Sequence, residues 1–281
     1  MVDLHVHTTC SDGQYSPADI IKLAANAKIR TLAVTDHDSV GAVRECSLLA
    51  VERGIDFISG VELSVRGNRE LHILGYNINC TDAALLCACV KFENERRKRL
   101  ERVLDYLLER GIKLTIEDVQ NAAESRAFIG RVHIAAAMQE KGYVADIREA
   151  FDKHIGTSEF DKVERPKPSD EEGISLIRNA GGVPVLAHPG MLKLDSDKLE
   201  ELVRKLMGFG LVGMECFYSM HTDLQTKEYV DLANKLGLLV TCGSDFHGQN
   251  VKPEIKIGIG TGNLASFCND KIAEQLRSAG R

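Results

Sequence analysis

Short β-prone segments recur along this chain, most of them followed by a stretch with helical spacing, and that alternation admits few folds. In the first quarter, residues 2–7, 30–35, 56–61 and 71–76 read as strands. Residues 17–27 read as a helix, with Ser16 as its N-cap and Pro17 at the first helical position. Residues 40–53 keep helical spacing and stop before Gly54. Alternation resumes late in the chain, with strands at 183–187, 211–216 and 238–242 and helices near 197–209 and 221–236. About seven strands separated by helices imply βα units and a parallel sheet or barrel.

The middle of the chain breaks this rhythm. From about residue 82 to 154 the signals are helical. Residues 92–110 place Leu100, Val103, Leu104, Leu107 and Leu108 on one face of a charged helix. Thr115 caps a second helix, Gly130 precedes a third at 131–141, and 145–154 suggest a fourth. Residues 156–169 form a polar linker holding Pro166 and Pro168, and Ser169-Asp-Glu-Glu172 then has the capping-box pattern. The expected organisation is a barrel built from 1–80 and 156–281, with a helical insertion domain at 81–155.

Composition narrows the function classes. At 281 residues and 44% hydrophobic content, the chain can bury a large core without disulfide staples. None of its eight cysteines forms a C-x-x-C pair, so they read as reduced structural thiols, with Cys10 the one nearest the motifs below. No apolar run reaches the ~18 residues of a membrane span, and Met1-Val-Asp-Leu-His does not read as a signal peptide, so no membrane partner and a cytoplasmic location are expected. A net charge of −6 argues against a broad basic surface for duplex nucleic acid, but leaves room for a small nucleotide or a short single strand. The absence of Trp weakens a base-stacking platform. The run Arg96-Arg-Lys-Arg99 is surrounded by Glu93, Glu95 and Glu101 and reads as a solvated helix face.

The histidines and acids fall at strand ends. His5 and His7 end the first strand, Asp36 and His37 the second, and Glu62 the third. His72 begins the next, His188 follows Val-Leu-Ala, and Asp245 and His247 follow Val-Thr-Cys-Gly-Ser. Asp12 lies in the loop after the first strand. In a parallel α/β barrel the C-terminal strand ends converge on one face, where active sites lie. Residues i and i+2 of a strand face the same way, so His5 and His7 can both point into the barrel mouth. Six imidazoles with four carboxylates make a ligand set for more than one divalent metal, and the mixed N/O chemistry suits Zn, Mn or Fe. Asp36 is set apart as a group that orients its neighbours.

The segments H-V-H-T-T-C-S-D-G (5–13), T-D-H-D (35–38), G-V-E (60–62), A-H-P (187–189) and S-D-F-H (244–247) resemble the motif pattern of the PHP (polymerase and histidinol phosphatase) superfamily. G-R-V-H (130–133), A-F-D-K-H (150–154) and S-M-H-T (219–222) resemble its stand-alone phosphoesterases acting on nucleotides, a branch that includes nucleoside 3′,5′-bisphosphate phosphatases and a 5′-to-3′ exoribonuclease. Val132 stands where Pro is usual and His154 where an aromatic residue is usual; neither is an expected ligand. The resemblance implies an α/β fold, a distorted (β/α)7 TIM-like barrel with a helical insertion domain, and a trinuclear centre of Mn, Fe or Zn. It implies that His5, His7, Glu62 and Asp245 hold one ion, that Glu62, His72 and His188 hold a second, and that Asp12, His37 and His247 hold a third.

The expected reaction is hydrolysis of a nucleotide phosphate monoester by metal-activated hydroxide. Arg131 leads as phosphate anchor, with Arg165 second. His221 is a candidate for binding the phosphate or protonating the leaving oxygen, and Asp245 for moving a proton. A 5′-to-3′ exoribonuclease on short RNA, a histidinol-phosphate phosphatase and a non-catalytic, metal-stabilised binding module are the alternatives.

Overall fold

The computed structural model describes residues 1–67, 71–122, 129–163, 166–264 and 268–279. It divides into two compact units, Met1–Cys89 with Lys167–Arg281, and Val90–Pro166. In chain order the elements are β1 (Val2–Asp3), α1 (Pro17–Asn26), β2 (Thr31–Val34), α2 (Val43–Glu52), β3 (Asp56–Ser64), β4 (His72–Tyr76) and α3 (Ala83–Leu108). There follow α4 (Ile116–Asn121), α5 (Arg131–Glu140), α6 (Ile147–Ala150), α7 (Asp170–Asn179), β5 (Val183–Leu186), α8 (Ser196–Phe209), β6 (Gly213–Tyr218), α9 (Asp223–Leu236), β7 (Leu239–Gly243) and α10 (Asp270–Ala279).

The first unit is an α/β fold around one seven-stranded sheet whose spatial order is the chain order, β1 to β7. The edges nearly close into a barrel: Leu4 N donates to Cys242 O (3.2 Å), Asp245 N to His5 O (2.8 Å) and His7 N to Phe246 O (3.0 Å). The parallel pattern inferred from alternation holds for β1–β2–β3 and β5–β6–β7. It fails at β4, which runs antiparallel to both neighbours. That reversal has a functional consequence. Ser64 at the end of β3 pairs with His72 at the start of β4, so the beginning of β4 lies level with the C-terminal end of β3.

The opposite end of the barrel is filled by α10. Its Ile272, Ala273 and Leu276 are buried in one cluster with Val2, Leu4, Ile58, Leu74, Tyr76 and Val185. Polar contacts seat the helix beside the strand ends distant from His72: Arg277 pairs with Asp56, Arg30 with Asp270, and Asn77 Nδ2 donates to Leu276 O (3.0 Å). Ser16 and Ser169 cap α1 and α7, as their sequence positions predict.

The second unit is helical, with Val103, Leu107, Val119, Ile134, Met138 and Ile155 in one buried cluster. Leu100, Val103 and Leu107 are buried as the α3 periodicity predicts, but Leu108 is 56% exposed because it falls off the apolar stripe. The expected fourth helix is one α-turn, α6, followed by a π-helical turn over Phe151–Ile155. All eight cysteines are free thiols. Among the described residues no helix is long and apolar enough to cross a membrane.

Candidate metal centre

Six strand ends and their loops deliver imidazoles and carboxylates to one face of the first unit. His5 Nε2 lies 3.1 Å from His7 Nε2, 3.2 Å from Glu62 Oε2 and 3.6 Å from Asp245 Oδ1. His7 Nε2 lies 3.3 Å from the same Glu62 oxygen and 3.2 Å from the same Asp245 oxygen. Four ligand atoms around a tetrahedral cation at ~2.0–2.1 Å stand ~3.3 Å apart. The spacing therefore fits a shared ion, and all four residues are buried.

The other oxygen of Glu62 serves a second group. Glu62 Oε1 is 2.9 Å from His72 Nδ1 and 2.9 Å from His188 Nε2, which are 3.4 Å from each other. A third group surrounds Asp12. Its Oδ1 is 3.5 Å from His7 Nδ1 and 3.3 Å from His247 Nε2, and its Oδ2 is 3.8 Å from His37 Nε2. Asp12 Oδ1 is buried and makes no aligned hydrogen bond, as expected of an atom meant for a cation. His37 faces two ways, because its Nδ1 also lies 3.0 Å from Glu62 Oε2. These clusters suit two to three metal ions.

Neighbouring groups aim the ligands. His247 Nδ1 donates to Asp245 O (2.9 Å), leaving Nε2 with its lone pair toward Asp12. Tyr218 OH and Lys252 Nζ both donate to Asp245 Oδ2, at 2.9 and 2.6 Å, leaving Oδ1 toward His7. Asp36 accepts from Thr8 N (2.8 Å), Thr8 Oγ1 (2.7 Å) and Ser11 Oγ (2.5 Å), and so fixes the loop that carries Asp12. His188 and Asp245 hold φ of +27° and +57°, a left-handed backbone that non-glycine residues adopt at a cost.

Burial and charge oppose each other here. Burial opposes protonation of His5, but Glu215, Glu62 and Asp245 outweigh it and raise its pKa well above the usual imidazole range. His7 is likewise raised, against burial, to about 9 by hydrogen bonds to Asp245 and Glu62. Burial would neutralise Glu62, yet His37, His5 and His72 hold its carboxyl well below the usual range. Asp12 and Asp245 behave the same way, through His247 and His37 for the first and Lys252 and His247 for the second. Burial lowers His37, His72 and His247. The carboxylates thus stay charged, and without metal the protons on His5 and His7 stand where a cation would.

All nine expected ligands gather on this face. The expected substrate residues are placed differently. His221 Nδ1 donates to Cys216 O (2.9 Å), and its Nε2 accepts from Gly190 N (3.1 Å). Both ring nitrogens are thus hydrogen-bonded to the main chain in this arrangement. Arg131 is the first residue of α5 in the second unit, where its guanidinium lies 5.7 Å from the centre of the Phe151 ring. Arg165 lies outside the described residues.

Two contributors escape sequence reading. Glu215 is fully buried on β6, with one oxygen 2.9 Å from His5 Nδ1 and the other accepting from His188 N (2.8 Å). Its only signal is a lone acid within the apolar run Leu211-Val-Gly-Met-Glu-Cys-Phe-Tyr218. Lys252 has no comparable signal, being one cation in an irregular loop.

Comparison with known proteins agrees with this chemistry. Over 247 residues the chain is 31% identical to the 3′,5′-nucleoside bisphosphate phosphatase of Chromobacterium violaceum, spanning 88% of this chain and 87% of that protein. It is 32% identical over 249 residues to the 5′-3′ exoribonuclease Rnm of Escherichia coli, spanning 87% and 84%. A solved structure from Bifidobacterium adolescentis, assigned as a metal-dependent phosphoesterase, superposes with a TM-score of 0.83 at 26% identity, over 100% of this chain and 96% of that one. The PHP domain model matches residues 3–209, from β1 to the end of α8, a span holding seven of the nine expected ligands. The chain belongs to the PHP family, in its branch of metal-dependent phosphoesterases, and is a hydrolase.

Proposed function

We propose that this hydrolase cleaves a phosphate monoester of a small nucleotide, such as a nucleoside 3′,5′-bisphosphate or monophosphate, using two or three Mn, Fe or Zn ions. The observation that carries the reading is Glu62, which offers one oxygen to the His5–His7 group and the other to His72 and His188. Such ions, when bound, neutralise charge on phosphoryl oxygens and make water a better nucleophile at neutral pH. Glu62 holds the two groups at a fixed separation. Asp12, His37 and His247 are placed to hold a further ion. Asp245 keeps Oδ2 on Lys252 and Tyr218 and turns Oδ1, charged, toward the centre as a ligand atom; the carboxylate would help move the proton that water gives up while remaining a ligand. Arg131 is the leading candidate for phosphate anchor, since its guanidinium can bind two oxygens at once, and Arg165 is the second.

A small substrate is favoured over RNA by the net charge of −6 and the absence of Trp. The relatives include enzymes of both kinds. The test is phosphate release by Mn-loaded protein on a nucleoside 3′,5′-bisphosphate, a nucleoside 5′-monophosphate, histidinol phosphate and a short 5′-phosphorylated RNA, each with a chelated control and with Asp12→Ala. Chelator-sensitive release from the small nucleotides, lost in Asp12→Ala, is expected. Mononucleotides from RNA would move the assignment to a nuclease. Release from histidinol phosphate alone would replace the nucleotide, and silence on all four would leave a metal-stabilised binding module.

A further inference from the structure

We propose that Glu215 is a positioning residue that joins the two ligand groups meeting at Glu62, by fixing the ring tautomer of His5 and the backbone turn of His188 with one carboxylate. The inference rests on the metal-dependent reading above.

The His5 half follows from donor and acceptor chemistry. Glu215 Oε1 is 2.9 Å from His5 Nδ1. A carboxylate oxygen accepts, so with an ion in place of the Nε2 proton the imidazole proton resides on Nδ1 and the Nε2 lone pair is directed at the point shared with His7, Glu62 and Asp245. The opposite tautomer would aim an N–H at the ion.

The His188 half follows from backbone strain. His188 holds φ +27° and ψ +62°, and its amide donates to Glu215 Oε2 at 2.8 Å. This turn brings His188 Nε2 to 2.9 Å from Glu62 Oε1. The other ring nitrogen, Nδ1, is buried with no hydrogen-bond partner, so the ring is not held from that side. The turn is held through the main chain instead, by the His188 amide on Glu215 and by Met191 N, which donates to His188 O (2.9 Å).

Space is reserved for this arrangement. A Cβ on Gly243 would come within 2.2 Å of His5 Cβ and 2.9 Å of Glu215 Oε1. Burying a carboxylate is costly unless each oxygen is satisfied, and here the partners are one group from each ligand cluster. A packing role would be met as well by glutamine, which has the same shape. Glutamine cannot serve both donors, because its NH2 must face either His5 Nδ1–H or the His188 amide. Facing His5, it forces the wrong tautomer; facing His188, it opposes one N–H with another.

The experiment is a titration of metal-free wild type, Glu215→Gln and Glu215→Asp with Mn and Zn, with bound metal counted per chain and folding checked by circular dichroism. Expected is native secondary structure in Glu215→Gln with about 10–100-fold weaker binding at both the His5 and the His188 sites, partly restored in Glu215→Asp. In the Zn-loaded wild type, long-range nitrogen-15 NMR should find the His5 proton on Nδ1, a readout that needs no variant. Wild-type affinity in Glu215→Gln, loss at only one site, or a His5 proton on Nε2 would each overturn the proposal. Wild type that binds no divalent metal would instead sink the functional reading on which it rests.

Discussion

His7 stands where two ligand groups meet, with Nε2 toward Glu62 and Asp245 and Nδ1 3.5 Å from Asp12. Its pKa of about 9 in the metal-free protein turns metal binding into a proton exchange. The folded pKa lies above the ordinary value of ~6.5. The stabilisation His7 gives to the metal-free protein is therefore complete below that ordinary value and lost as pH rises through about 9. Adding Zn or Mn to metal-free protein near pH 8, in weak buffer with an indicator dye, should release at least one proton per chain, and the share from His7 should fade above about pH 9. Binding without proton release at pH 8 would show that His7 is already neutral. The strand-end ligands were legible in sequence because each follows or opens an apolar run. Glu215 was not, since its partners His5 and His188 lie 210 and 27 residues away and no periodicity links them.

At the scale of elements, strand positions were readable and strand direction was not. A two-residue period is the same in either direction, so nothing in Leu71-His-Ile-Leu-Gly-Tyr76 marks β4 as reversed. The reversal nonetheless explains why an expected ligand, His72, opens a strand when the others close theirs. Helix α10 was missed for a related reason. Only Ile272, Ala273 and Leu276 face inward, too few to stand out in a polar stretch. Their burial predicts an effect separable from chemistry. Leu276→Ala removes a nearly inaccessible side chain from the barrel end distant from the ligands and should cost about 2–5 kcal/mol in urea or thermal unfolding. Mn affinity should stay within about twofold of wild type, since no ligand touches this end. A loss under ~1 kcal/mol would mean α10 does not seal the barrel.

For the whole molecule, the described ligand groups all belong to the unit formed by Met1–Cys89 and Lys167–Arg281, and none to Val90–Pro166. In the metal-free protein the protons on His5 and His7 balance the carboxylates of this barrel mouth; a bound ion takes their place, and its binding free energy adds to that unit's fold. An ion present at 100 times its dissociation constant adds about 2.7 kcal/mol by mass action. At roughly 2–4 °C per kcal/mol, one ion should raise the melting temperature by about 5–10 °C, and chelation should reverse it. Hydrogen exchange then locates the gain. Protection should rise most in β1–β7, six of which carry ligands at or beyond their ends, and least in α4–α6, whose core of Val119, Ile134 and Met138 contains no ligand. Equal protection in both units would mean they unfold as one cooperative body. A rise confined to α4–α6 would place the cation away from the strand ends, against the geometry of Glu62.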